Sequence, residues 1–243
     1  ISTNDKYMGL LKDLVDKLVE VLQSSKNELH SQVFLSLRAL VLRFSATHLN
    51  NYWITLYSEL EKAFSDFIIE MMNFEEEMTK GTGETSRDIS ELVDVQLLLS
   101  ASKLLDLILT LGFEEFQLDE WIFIDDSMET VSRGIIGDGA SGKTYRLAPL
   151  VIGLIDKISR LRAYKLPIAS DGRKVKIVSD AMSENRYKIP MLYGYSYLEG
   201  LELLKPFFDL LSYYNFERVY GLKTPDLDKC VDDVYNDLFK SHR

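Results

Sequence analysis

The fold of this chain is decided by the stretch from Leu97 to Ile124, which reads LLLSASKLLDLILTLGFEEFQLDEWIFI. Its first half is apolar on nearly every side of a helical wheel, and such a helix lies inside a protein core or a membrane. Lys103 and Asp106 argue against the membrane, because a charge near the middle of a span is costly in hydrocarbon. They are three residues apart, and at that spacing they can pair on one helix face. The stretch therefore predicts a central, buried helix of a soluble helical domain.

Other segments repeat apolar residues every three or four positions, which is typical of helices that bury one face. The predicted stripes are Tyr7, Leu11, Leu14, Leu18 and Leu22; Val33, Phe34, Leu37, Val41 and Phe44; Leu49, Trp53, Leu56, Leu60, Phe64 and Phe67; Leu150, Leu154, Ile158 and Leu161; Leu198, Leu201, Leu204, Phe208 and Leu211; and Leu227, Val231, Val234 and Leu238. Pro206 is expected to bend or divide the fifth of these helices.

Caps and loops set the expected boundaries. Thr47 and Thr224 are predicted N-caps, the second with Pro225 at the first helical position. Polar sequence that contains glycine predicts mobile loops at about 74–90 and 125–143. Between Arg173 and Ser179 polar and apolar residues alternate, so we expect at most a small β-hairpin there. These features predict an all-α fold of consecutive antiparallel helix pairs, HEAT/armadillo-like, in a single domain over residues 1–243.

Composition narrows the function. The chain has 243 residues, a formal charge of −10 and a pI near 4.9, which argues against nucleic acid as a partner. Its one cysteine, Cys230, cannot form an internal disulfide, so the cytosol is the expected compartment and a buried core position the expected role. The three histidines form no metal-binding pattern and no G-x-S-x-G occurs, so we expect no enzyme, no catalytic residue, no metal and no cofactor.

Residues 137–144 read GDGASGKT, a literal match to the phosphate-binding loop G-x-x-x-x-G-K-[ST]. A working loop of this kind leaves a buried parallel strand and opens a helix, and the chain contains no series of alternating strands and helices. A Trp121-Ile-Phe-Ile-Asp125 run resembles the acidic partner of such loops, but it precedes the glycines and leaves no room for a crossover helix. Nucleotide binding through 137–144 stays an alternative that the context disfavours.

One stretch opposes the charge of the rest. Between Lys157 and Lys188 nine Lys and Arg residues stand against three acidic ones, a local charge of +6. Two interpretations stay open: a solvated face, or a patch for an acidic partner or an anionic lipid headgroup. The residues assigned to partner binding are Arg160, Arg162, Lys165, Arg173, Lys174, Lys176, Arg186 and Lys188.

Three blocks also resemble a known family. Ser100 to Ile124, Leu37 to Leu60 (LRALVLRFSATHLNNYWITLYSEL) and Leu203 to Leu211 (LLKPFFDLL) are similar, in the same order, to the C-terminal region of the Dopey family of large cytosolic proteins. The resemblance implies the C-terminal part of a larger, non-enzymatic scaffold, peripheral on Golgi and endosome membranes and active in traffic between them. It further implies, as protein partners, a large relative of Arf exchange factors and a phospholipid flippase. The leucine-rich runs add a homodimer as an open alternative.

The charge pattern yields the first testable prediction. Reversing Arg173, Lys174 and Lys176 to Glu should weaken binding to phosphoinositide-containing liposomes or to an acidic partner, and leave the helical circular dichroism unchanged. Wild-type binding should fade toward about 0.5 M salt, where the Debye length shrinks to a few ångströms. Equal binding of wild type and triple variant at low salt would show that these residues form a solvated face and not a binding patch.

Overall fold

The computed structural model describes residues 8–24, 29–79, 94–119, 122–123, 149–161, 188–198, 201–211 and 224–239. Its helices are α1 (Met8–Gln23), α2 (Leu29–Arg43), α3 (Ala46–Leu49), α4 (Trp53–Thr79), α5 (Val95–Leu111), α6 (Glu114–Asp119), α7 (Leu150–Leu161) and α8 (Leu227–Phe239), with 3-10 turns at Asn50–Tyr52 and Leu201–Leu204. Residues 205–211 are also helical. These described ranges contain helices and turns but no strand, and the predicted all-α fold is confirmed.

Helix α5 is the centre of the core, as its sequence predicts. Every residue from Leu98 to Thr110 is buried, including the polar ones. Asp94 caps its start by accepting a hydrogen bond from the Leu97 backbone N–H at 2.8 Å. Gly112 ends it in the left-handed conformation, at φ 71°, which a glycine adopts without steric cost. Nearly the whole surface of α5 between Leu98 and Thr110 is therefore packed against the rest of the protein.

The other helices are arranged around α5. Both α2 and α4 pack against it, α1 packs on α2 and α4, α7 packs on α4, and α8 packs on α2. Consecutive helices such as α1 and α2 are therefore in contact, but the largest interface joins α5 to the non-consecutive α2. This arrangement places α8, from the end of the described chain, beside helices from its beginning and middle.

Aromatic rings fill the space on the α4 side. Trp53 and Tyr57 stack with ring centroids 5.6 Å apart, and Tyr57 meets the edge of Phe116 at 5.4 Å. Phe64 contacts both Phe123 and Phe208 in edge-on geometry. Such pairs add to the burial of large apolar surfaces. The stripe predicted for this helix, from Leu49 through Phe67, is buried at every position.

Several predicted boundaries are displaced. Ser45, not Thr47, occupies the N-cap position before α3, and Thr47 lies inside that helix. Helix α4 continues to Thr79, beyond residue 74 where a loop was expected to begin. Residues 80–90 and 125–143, with the predicted hairpin at 173–179, lie outside the described residues. Leu201–Leu204 forms a 3-10 turn before the helical residues 205–211, so the helix is divided close to Pro206, as expected.

The buried faces of the first and last helices also differ from their predicted stripes. In α1 Leu11 and Leu22 are buried as predicted, but Val15 is buried in place of Leu14, which is exposed. In α8 the buried residues are Cys230, Asp233 and Val234. Cys230 is thus in the core, as predicted, but most of the apolar stripe of α8 faces outward.

The N-terminus of α8 also differs from its prediction. Asp226, not Thr224, caps this helix, because its Oδ1 accepts a hydrogen bond from the Lys229 backbone N–H at 3.1 Å. Pro225 accordingly lies before the cap and not at the first helical position.

The burial of α5 predicts the cost of a cavity. Ile108 is fully buried, so Ile108→Ala should lower the free energy of unfolding by roughly 2–5 kcal/mol, the range for large-to-small changes in a packed core. Ile54, which is 80% exposed on α4, is the matched control, and Ile54→Ala should change stability by less than about 0.5 kcal/mol. Chemical denaturation of both variants measures the difference. Equal stabilities would remove α5 from the centre of the core.

Candidate functional site: a buried charge cluster

Four charged side chains meet inside the helical core. Arg38 comes from α2, Lys103 from α5, and Asp233 and Asp237 from α8, and we call them the buried charge cluster. Their side chains are only 2%, 2%, 2% and 10% exposed, respectively. With two cations and two anions, the formal charge of the cluster is zero.

Each cation contacts both carboxylates. Arg38 donates from Nη1 to Asp237 Oδ2 at 2.6 Å and from Nη2 to Asp233 Oδ2. The Lys103 ammonium donates to Asp237 Oδ2 at 2.5 Å, to Asp233 Oδ1 at 3.1 Å and to the Tyr195 carbonyl at 2.9 Å. The bonds satisfy all three protons of Lys103. Removing one member would leave an uncompensated buried charge, which is strongly destabilising by about 3–5 kcal/mol.

A non-helical segment, residues 188–198, is held against the cluster by backbone groups and by one side-chain hydroxyl. The Gly194 N–H donates to Asp233 Oδ1 at 2.9 Å, and the Ser196 hydroxyl donates to Asp237 Oδ1 at 3.1 Å. Gly194 has φ 80°, in the left-handed region that favours glycine. The Lys188 carbonyl accepts from the Asp226 N–H at 2.7 Å, which fixes the far end of the segment to the start of α8. The cluster thus positions this segment as well as three helices.

A fifth buried charge, Asp106 on α5, lies close by but has a different partner. Its Oδ2 accepts the Leu192 N–H at 2.7 Å, while its Oδ1 has no hydrogen-bond partner among the described residues. Burial raises the pKa of this carboxyl from 3.8 to about 7, with a smaller upward effect of Asp233, against the lowering effects of the Leu192 and Met191 N–H groups and of Lys103. Lys103 and Asp106 do not form the ion pair that their spacing allows, because each one hydrogen-bonds to groups from a distant part of the chain.

The cluster offers little to a substrate. The cleft beside it is lined in part by Gln96, Ser100, Lys103, Ser196 and Asp237 and has a volume of about 30 Å³. That is room for one or two water molecules. In the part of the chain that the structure describes, no group of three or more His, Cys, Asp or Glu side chains could hold a metal ion. The arrangement can fix helices and bind water, and its charges already neutralise one another.

The basic stretch is described only at its ends. Lys157 is largely buried and donates to Glu75 at 2.6 Å, so this cation is engaged within the fold. Arg160 is 56% exposed and pairs with Asp156 at 3.0 Å, while Lys188 is half-buried. The remaining assigned residues are Arg162, Lys165, Arg173, Lys174, Lys176 and Arg186, and they lie outside the described residues, as does the glycine-rich loop at 137–144. The assignment of partner binding to this stretch stays a prediction.

Sequence reasoning missed three members of the cluster. Asp233 and Asp237 are four apart and share a helix face, but that spacing is equally typical of a solvated acidic face. Arg38 stands among apolar residues, which is the one local hint that its guanidinium is buried. The contacts join residues 195 positions apart, a separation that no local pattern reports.

No described helix combines the length and the apolar character that crossing a bilayer requires.

Comparison with known proteins identifies relatives over nearly the whole chain. The family model described as DOP1 C-terminal matches residues 1–221. The chain is 29% identical over 239 residues to Protein DOP1 of Saccharomyces cerevisiae, which covers 98% of this chain and 12% of that protein. It is 26% identical over 249 residues to Protein dop1 of Emericella nidulans, with the same coverages of 98% and 12%. Protein pad-1 of Caenorhabditis elegans is 30% identical over 124 residues, 49% of this chain and 5% of that protein.

No solved structure matches the chain. The chain spans about an eighth of the length of the two fungal relatives, 12% in each case. Helix α8, which supplies both aspartates of the cluster, lies beyond the residues that the family model matches.

The raised pKa of Asp106 predicts a pH dependence of stability. Between the ordinary pKa of 3.8 and about 7, the unfolded chain has released a proton that the native chain still holds, so this carboxyl lowers stability progressively as pH rises through that window. Asp106→Asn keeps an acceptor for the Leu192 N–H and carries no charge. Its free energy of unfolding should therefore rise relative to wild type between about pH 4 and 7, by up to roughly 1.4 kcal/mol per pH unit.

Urea unfolding at several pH values measures this difference, with the exposed Asp228→Asn as control. A constant difference between wild type and Asp106→Asn across the range would show that Asp106 is ionised throughout.

Proposed function

The chain belongs to the DOP1 C-terminal family, and on that premise we propose that it is a non-enzymatic protein-interaction module of a scaffold acting in membrane traffic between endosomes and Golgi. The sequence resemblance to the Dopey family implies this role. It also implies a cytoplasmic protein that is peripheral on those membranes, with a large relative of Arf exchange factors and a phospholipid flippase as partners.

One observation carries the non-enzymatic part of the proposal. The most concentrated group of buried polar side chains in the described structure is the buried charge cluster, and its four charges are paired with one another. Catalytic groups need a free lone pair or proton directed at a space where substrate can sit. Here the adjoining cleft of about 30 Å³ has no such room. The polar chemistry of the core is used to hold helices together, which leaves the outer surfaces for function.

Anionic lipid binding is a second candidate, favoured by the local charge of +6 between Lys157 and Lys188 in a chain of −10. The positive charge available for lipid is reduced at the start of this stretch, because Lys157 is already paired with Glu75 and Arg160 with Asp156. A lipid-binding stretch would also be compatible with the scaffold, since a scaffold that acts on membranes needs attachment as well as partners.

The proposed function predicts that the whole protein needs this module in cells. Ile108→Asp places a charge at a fully buried position and should unfold the module, so return of recycling cargo from endosomes to Golgi should fail. Fluorescence microscopy of tagged cargo, together with immunoblots of protein abundance, measures the effect. Ile54→Asp, at a position that is 80% exposed, is the matched control and should behave as wild type. Normal cargo return with the Ile108 variant would contradict the proposal.

A further inference from the structure

Helix α8 carries most of its large apolar residues on the side that faces solvent, although Cys230 and Val234 are buried. Leu227, Val231, Tyr235, Leu238 and Phe239 are 40%, 52%, 54%, 39% and 66% exposed. Their spacing of four, four, three and one places them along one side of the helix, and we call them the α8 stripe. The helix has 13 residues, so the stripe is about 20 Å long. The Tyr235 and Phe239 rings are in contact at its end, with centroids 4.7 Å apart.

The outward orientation follows from the buried charge cluster. Asp233 and Asp237 lie on the opposite side of α8, where they pair with Arg38 and Lys103. Rotating the helix to bury the α8 stripe would withdraw both carboxylates and leave two buried cations without counter-charges. The cluster therefore holds the stripe in solvent. A row of large apolar side chains kept in this position is typical of an interaction site.

Charged residues border the stripe unevenly. Asp228 and Asp232 are exposed and lie four residues apart along the edge that carries Tyr235 and Phe239. Lys229 lies on a different side of the helix, with its ammonium 5.7 Å from the centre of the Tyr193 ring. The edge of the stripe is therefore acidic, in a chain whose net charge is −10.

We propose that the α8 stripe is a docking site for a basic amphipathic helix of a partner protein. Such a helix would lay apolar residues at three- and four-residue spacing on the stripe and place Lys or Arg opposite Asp228 and Asp232. The acidic edge and the net charge disfavour a second copy of this chain and an anionic membrane, because both would bring like charges together. The inference rests on the proposed function, since it names the surface and the partner chemistry of the interaction module.

The test uses the full 243-residue chain and two fluorescein-labelled, stapled helical peptides of about 18 residues, five helical turns. One peptide carries a leucine stripe bordered by Lys, and the other carries the same stripe bordered by Glu. Fluorescence anisotropy at low salt should show that the Lys peptide binds and the Glu peptide binds at least about tenfold more weakly. The double variant Val231→Asp with Leu238→Asp should weaken binding of the Lys peptide about tenfold or more. Ile54→Asp, an equally apolar exposed position on α4, should leave it unchanged.

A charge exchange keeps the test decisive if the double variant fails to fold. Asp228→Lys with Asp232→Lys alters only exposed side chains and should transfer the preference to the Glu peptide. Circular dichroism melts of each variant report its folding.

Three results would overturn the inference. They are equal binding of both peptides, Lys-peptide binding that is unchanged in the folded double variant, and a wild-type dimer in sedimentation velocity that the double variant loses. If the peptides fail while the Ile108 variant still blocks cargo return, the docking site is wrong and the proposed function stands. If the peptides bind as expected while cargo return is normal in the Ile108 variant, the docking site stands and the proposed function is wrong.

Discussion

Two of the cations that are buried in the described structure meet two carboxylates from a distant helix, and the arrangement of the helices depends on that pairing. Arg38 and Lys103 lie on α2 and α5, the pair of helices with the largest interface, and neither could stay there as an isolated charge. The carboxylates come from α8, almost two hundred residues after Arg38 in the chain. A buried ion cluster is a weak source of net stability, but its geometry is demanding, because any other placement of α8 leaves charges unpaired.

The geometry of the buried charge cluster also positions the segments around it. The segment at residues 188–198 has no helix or strand of its own, and its backbone is held by Asp106, Lys103 and Asp233. Gly194 makes the turn possible where a side chain would be strained. The same constraint orients α8 with Asp233 and Asp237 inward, beside the buried Cys230 and Val234, and with the α8 stripe outward. A polar interaction inside the core has in this way produced an apolar surface outside it.

For function, the consequence is a division of labour between interior and surface. The interior combines a large aromatic and leucine core with a cluster of four charges that neutralise one another. Asp106 lies outside that cluster, and its raised pKa leaves a titrating group at the centre of the fold. The surface carries the features that a partner could recognise: the α8 stripe with its acidic edge, and the opposite charge of the stretch from Lys157 to Lys188. Both suit an interaction module of the kind that we propose.

The sequence by itself determined which segments are helical and, for most of them, which face is buried. The burial of α5 followed from apolar residues on all sides, and that of α4 from a stripe that recurs every three or four residues, both of which are local patterns. The predicted helix ends were less accurate. Ser45 and Thr47 are both suited to the N-cap position before α3, and the local sequence does not distinguish them. Tertiary structure alone decided the orientation of α8 and the partners of Lys103 and Asp106. Asp233 and Asp237 turn inward because they meet the buried cations Arg38 and Lys103. Whether those cations are there depends on how distant helices pack.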